Sequence, residues 1–139
     1  MEDANEYCQW LTQKENSTIL YRLPTHEEWQ WIAGKVDNRT YPWGNVYDVF
    51  FLSTSSQKKI LKAQETKFDI SPYGIKNMAG NVSEWCQDIS KGIFSFAVVC
   101  GGNWQVPYPQ SFEIENLMVY SKNYTSEEIG FRVIALIPR

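Results

Sequence analysis

The chain of 139 residues has one histidine, three cysteines and no apolar run of membrane-spanning length. A single imidazole, His26, excludes metal centres that need two or three of them. Cys8, Cys86 and Cys100 are odd in number and show no paired spacing. They read as three reduced, partly buried thiols, with a disulfide between two of them only in an oxidising compartment. Apolar stretches fall short of the roughly 18–20 residues that cross a bilayer. No charged n-region followed by an apolar h-region opens the chain. The expectation is a cytoplasmic protein without a membrane partner, although a trimmed leader would leave the same sequence. A net charge of −3 and the lack of a basic stripe give nucleic-acid binding no electrostatic support. No P-loop and no nucleophile–His–Asp set is found.

Aromatic residues are plentiful: six Trp, eight Tyr and seven Phe. In one domain of this length, they predict a compact core of rings and Gly/Pro turns with little regular helix. Residues 2–14 read as a helix with Ala4, Tyr7, Cys8 and Leu11 at helical spacing. Leu20–Leu23 reads as a short strand stopped by Pro24. Thr25 and Glu28 then form a capping box that opens a second helix, with Trp29, Ile32 and Ala33 inside and Gly34 as C-cap. In this frame His26 is a first-turn surface residue. Tyr41–Asn45 is a turn cluster. Residues 53–66 read as loop or irregular strand. Strands are expected at Phe94–Val99, at Gly101–Trp104 and at Ile129–Ile137, the last central because it is almost wholly apolar.

Five short motifs run in order: Tyr21-Arg-Leu-Pro-Thr-His-Glu-Glu-Trp29, Tyr41-Pro-Trp-Gly44, Tyr73–Trp85 (YGIKNMAGNVSEW), Gly101-Gly-Asn-Trp104 and Gly130-Phe-Arg-Val133. In this order they resemble the formylglycine-generating-enzyme (sulfatase-modifying-factor) family, a branch of the C-type-lectin-like fold. The resemblance implies an α+β, loop-rich single domain over 1–139, with two N-terminal helices and a twisted antiparallel sheet. Relatives carry strands before the first helix. The chain therefore reads as the C-terminal part of the usual domain, whether a natural short form, a truncation or a fragment.

The resemblance also implies a tight loop at Asn77–Trp85 that holds structural Ca²⁺ in relatives. Asn81 and Glu84 would give side-chain oxygens, and Ala79, Gly80 and Val82 would give carbonyls. The alternative is that Asn81 and Glu84 satisfy loop amides without metal. A second Ca²⁺ site of relatives is expected to be lost, with Asp69 left as a turn residue before Ser71-Pro72. Oxidising members place two copper-binding cysteines shortly after the motif matching Gly101–Trp104. Here residues 105–139 hold no cysteine, so copper is not expected, nor is iron. Cys8 and Cys86 match positions that pack in relatives, whereas Cys100 stands where relatives have Arg. Arg22 and Arg132, both in motifs, read as a charged core pair or as stacks on Trp. The pairs Glu27–Glu28 and Glu127–Glu128 read as solvated charge, and Met78 and Met118 as core filler.

The segment 105–128 sets Tyr108, Phe112, Tyr120 and Tyr124 among Pro, Gln, Asn and Ser. Tyr beside small polar residues suits adaptable binding surfaces, because a ring gives contact area at low entropic cost. The expected function is a catalytically silent binding domain in which Trp104, Gln105, Tyr108, Phe112, Tyr120 and Tyr124 meet a protein or small ligand. Two alternatives stay open: a fragment or subunit of a formylglycine-generating oxidase, and a variable target protein of a diversity-generating retroelement. A homodimer through an open sheet edge is a further expectation.

Overall fold

A computed structural model describes residues 1–15, 18–52, 59–89 and 96–137. Part of the expected loop at 53–66, and the first two residues of the strand expected at Phe94–Val99, lie outside the described residues. Two helices, α1 (Glu2–Lys14) and α2 (His26–Ala33), flank the short strand β1 (Leu20–Arg22). After a long irregular stretch come β2 (Ser83–Ile89), β3 (Phe96–Cys100), β4 (Leu117–Ser121), β5 (Ile129–Phe131) and β6 (Ile134–Leu136). Four strands form one sheet in the order β4-β3-β2-β5, and β1 pairs with β6 in a second. The fold is an α+β, C-type-lectin-like domain, as the motifs imply.

The sheet works as a partition because side chains alternate across it. Trp85, Ala97 and Val99 face α1, where Ala4, Cys8 and Leu23 complete one cluster. Cys86 and Cys100 face the other way and pack with Trp29 and Ala33 of α2, Met78 and Ile114. Tyr41, Leu52, Ala79 and Phe112 make a third cluster under the turns. Burying a ring such as Trp29, 1 % exposed, contributes about 2–3 kcal/mol.

The second helix forms as its sequence predicts. Thr25 Oγ1 accepts from Glu28 N–H while the Glu28 carboxylate accepts from Thr25 N–H, and Gly34 closes the helix at φ 122°. On α1, Ala4 and Cys8 are buried, but Tyr7 is not. It lies outside, its ring edge-on to Phe131 of β5.

Four expectations need correction. The apolar run Ile129–Ile137 is not one central strand. It breaks at Arg132–Val133 into β5 and β6, which belong to different sheets, because Arg132 turns inward to a buried carboxylate. β5 runs parallel to β2 at the sheet edge, so the large sheet is mixed rather than wholly antiparallel. Gly101–Trp104 is a turn, not a strand. Gly101 holds φ 75°, and a Cβ on Gly102 would come within 2.5 Å of the Phe112 ring. β2, one of the two strands paired on both sides, starts inside the motif read as a loop and carries Glu84 and Trp85.

Candidate functional site

The motif 77–85 is organised by Asp69, a fully buried carboxylate. It accepts hydrogen bonds from the amides of Met78 (3.1 Å), Ala79 (3.0 Å) and Gly80 (2.8 Å). Successive N–H groups converge on an anion in this way when the chain turns sharply. Asn77 and Asn81 supply the turn with φ of 57° and 73°, a region Asn tolerates better than most residues. Asp69 is expected from the sequence as a turn residue, and the structure makes it the acceptor for three successive amides instead. A lone Asp a few residues before a Gly-containing motif was the available signal.

Glu84 emerges from this loop at the start of β2 and is 6 % exposed. Its Oε2 accepts from Trp29 Nε1 at 2.7 Å and from Arg132 Nε, and its Oε1 accepts from Arg132 Nη2 at 2.8 Å. Arg132 also donates to the carbonyls of Lys76 and Asn77. Burial alone would lower the pKa of this guanidinium, but the charge and hydrogen bonds of Glu84 outweigh it and the net shift is upward. Arg22 pairs elsewhere, with both oxygens of Glu28 at 2.7 Å. Each motif arginine has its own carboxylate, and Glu28 is not free solvated charge. That pair holds the Glu28 carboxyl down at about 2.

The residues expected to ligate Ca²⁺ all sit in this loop, and most of their oxygens already have partners. Asn81 Oδ1 accepts from Leu61 N–H and its amide donates to Leu61 C=O. The carbonyl of Ala79 accepts from Gly102 N–H and that of Asn81 from Trp104 N–H. Gly80 is buried, and Val82 lines a cleft of about 460 Å³ with Asn77, Asn81, Glu84 and Arg132. Ca²⁺ asks for six to eight oxygen ligands, several of them anionic. This set brings one carboxylate, which already neutralises a guanidinium, and as arranged it does not fit a Ca²⁺ cage. Among the described residues, no three of His, Cys, Asp and Glu gather as a metal-binding group.

His26 lies in the first turn of α2 with Nδ1 3.1 Å from Asp88 Oδ1, within ion-pair reach but outside hydrogen-bond geometry. Its backbone N–H donates to the same carboxylate.

The residues expected to bind ligand fall into three groups. Trp104, Gln105 and Tyr108 lie on one turn. Gln105 is exposed, Tyr108 is 65 % exposed, and half-buried Trp104 has a buried indole N–H with no acceptor among the described residues. Tyr120 and Tyr124 stack at 4.7 Å at the end of β4, with Tyr120 edge-on to Trp85. Phe112 is 3 % exposed and belongs to the third core cluster. As a ligand contact it is a correction, because close packing on Gly102 spends the ring on the fold. The turn is pinned from below: Asn103 donates to Ser83 Oγ and accepts from Gln105 N–H, and Ile114 N–H donates to Thr40 C=O.

Comparisons with known proteins agree with this architecture. The sequence model of the family described as "Sulfatase-modifying factor enzyme 1-like domain" matches residues 1–137. The formylglycine-generating enzyme of Thermomonospora curvata is 33% identical over 100 residues, 62% of this chain and 30% of that protein. Serine/threonine-protein kinase pkn1 of Chlamydia caviae is 34% identical over 89 residues, 61% of this chain and 12% of that protein. The chain thus spans less than a third of either relative. Among solved structures, PvdO from Pseudomonas aeruginosa superposes with a TM-score of 0.77 at 19% identity, over 95% of this chain and 58% of that one. Treponema denticola variable protein 1 superposes at 0.64 and 26% identity, over 85% and 48%.

Proposed function

The chain belongs to the sulfatase-modifying factor enzyme 1-like domain family, and from that premise we propose that it is a binding domain rather than a catalyst. The contact surface is the turn Trp104–Tyr108, which offers a protein or small ligand an exposed ring at Tyr108 and an exposed amide at Gln105. The observation that carries this reading is the contrast between the exposed Tyr108 and its anchored base at Asn103, Phe112 and Ile114. A pre-organised loop loses less entropy on binding than a free one. Tyr120 and Tyr124 extend the surface at the end of β4.

The oxidase reading draws on the relatives named formylglycine-generating enzyme. It would need cysteines that residues 105–139 lack, supplied by a longer chain or by a partner. A narrower binding reading takes the word "variable" in the name of the Treponema structure and extends it to this chain: residues 105–128 differ between alleles while the anchors stay. Sequencing of natural alleles tests it, and differences spread evenly over the whole chain would end it.

The experiment for the main reading is affinity capture followed by crosslinking, comparing the native chain with Tyr108→Ala and Gln105→Ala at matched stability. A captured molecule should crosslink to 104–108 and be lost with Tyr108→Ala. Capture indifferent to both substitutions would overturn the assignment.

A further inference from the structure

We propose that Cys86 and Cys100 are a disulfide-forming pair, closing a reversible covalent link between β2 and β3 at the root of the Trp104–Tyr108 turn. Their sulfurs lie 3.3 Å apart and both side chains are fully buried. A disulfide needs a sulfur separation of roughly 2.05 Å, so the two must approach by little more than about 1 Å. The topology supplies what that approach requires. Glu84 stands opposite Cys100 in the ladder, and with a side-chain period of two Cys86 shares that face. In a regular ladder Cys86 would be a diagonal neighbour of Cys100. Here the register shifts between the Trp85–Val99 and Ile89–Ala97 pairs, and Cys86 lies in that irregular stretch. An irregularity of this kind disrupts the ladder locally and bends the strand that carries it. Cys8 is excluded from the chemistry because it packs under α1 with Trp85, on the opposite side of the sheet.

The link would form by thiol–disulfide exchange with a low-molecular-weight disulfide of the glutathione class. One cysteine, deprotonated when the strands open, attacks a sulfur of that disulfide and expels one thiolate. The other cysteine then attacks the protein sulfur of the mixed disulfide and expels the second thiolate. The two protons given up by the cysteines end on the two small thiols, and the two electrons reduce the small disulfide. The closed strand pair is inert, because the hydrogen bond to Cys100 and burial both push the Cys86 thiol up. Exchange therefore waits on local opening. The consequence reaches the candidate surface: Cys100 precedes Gly101, where a Cβ would come within 3.1 Å of the Met78 carbonyl and the Trp29 ring. A link at Cys100 fixes the start of the turn that carries Trp104.

The test equilibrates the reduced chain and its Cys8→Ser variant with oxidised glutathione through an unfolding and refolding cycle. Free thiols are then alkylated under denaturing conditions, and peptides are mapped by mass spectrometry without reduction. The expected result is a Cys86–Cys100 crosslinked peptide lighter by two hydrogens, alkylation of Cys8 alone in the native chain and of nothing in Cys8→Ser. The oxidised chain should melt at a higher temperature and exchange the amides of 101–105 more slowly. Both thiols still alkylated, stable glutathione adducts on either, or a link to Cys8 would overturn the proposal. The Cys8→Ser variant keeps both thiols of the pair and so decides the assignment without a substitution in the sheet.

Discussion

The loop 69–84 and the segment 104–124 are built from similar residues and put them to opposite use. In the first, Asp69, Asn81 and Glu84 turn their polar atoms inward, each onto amides, an indole or a guanidinium. In the second, Gln105, Tyr108 and Tyr124 turn outward from a pinned base. The difference lies in what surrounds each turn. Asp69, Asn81 and Glu84 are buried beside Trp29, Arg132 and the turn at 101–104, so a polar atom there must find a protein partner or lose its hydration uncompensated. The outer turn has water on one side, which leaves its side chains free to exchange water for a ligand.

The comparison breaks most severely at Glu84. Glu84→Ala strands the Arg132 guanidinium and the Trp29 N–H, and should cost about 3–5 kcal/mol in urea unfolding. A loss near that of a surface substitution would mean that the pair is not enclosed in solution. Next comes Gly102→Ala at the junction of the two regions. The added methyl meets the Phe112 ring and the Ser111 carbonyl, so about 1–3 kcal/mol of overpacking is expected. Ligand capture should fall with it if the anchor pre-organises the turn. A smaller effect is tied to acid. Glu28 is held at about 2 against an ordinary 4.5 by Arg22 first and then by the Thr25 amide. Its contribution is complete above the unfolded value and is lost as pH falls from about 5 through 2. Because the side chain is 42% exposed, solvent screening cuts it to about 1 kcal/mol. An acid titration of the melting temperature should show this slope, and Glu28→Gln should remove it. Least of all, Tyr108→Ala should change stability by no more than about 0.5 kcal/mol while abolishing capture. A large loss of stability there would move Tyr108 into the core and sink the contrast.

Ca²⁺ offers another way to sharpen the same contrast. With Asn81 and Glu84 already engaged, added Ca²⁺ should leave the melting temperature of the chelated protein unchanged. A rise that saturates with Ca²⁺ would show that the metal can displace Arg132 from Glu84, since binding to the native state alone raises stability.

The open edge of β4, where Leu117 and Val119 are exposed, is the place for the homodimer that the sequence reading allows. Sedimentation that shifts with concentration and reverts on Val119→Lys would support it, and a monomer at high concentration would not.

Much of the fold was legible because it depends on short-range rules. The capping box Thr25–Glu28, the Gly34 stop and the turn at Tyr41–Gly44 are decided by residues within a few positions of one another. The motif order identified the scaffold, and the absence of cysteine after Trp104 is a property of the chain itself. Long-range choices were not legible. An apolar run such as Ile129–Ile137 satisfies one central strand as well as two edge strands. Only the inward pull of Glu84 on Arg132, 48 positions away in sequence, splits it. Whether Phe112 faces ligand or core depends on Gly102 lying against it, and Asp69 becomes a hub only because three amides of a later turn fold over it. In the same way the sequence gives three cysteines without a pairing, and the sheet decides that two share a face and one is shut away behind it. Local hydrogen bonds and steric rules are written in neighbouring residues. The partner of a buried charge, ring or thiol is chosen by closure of the whole chain.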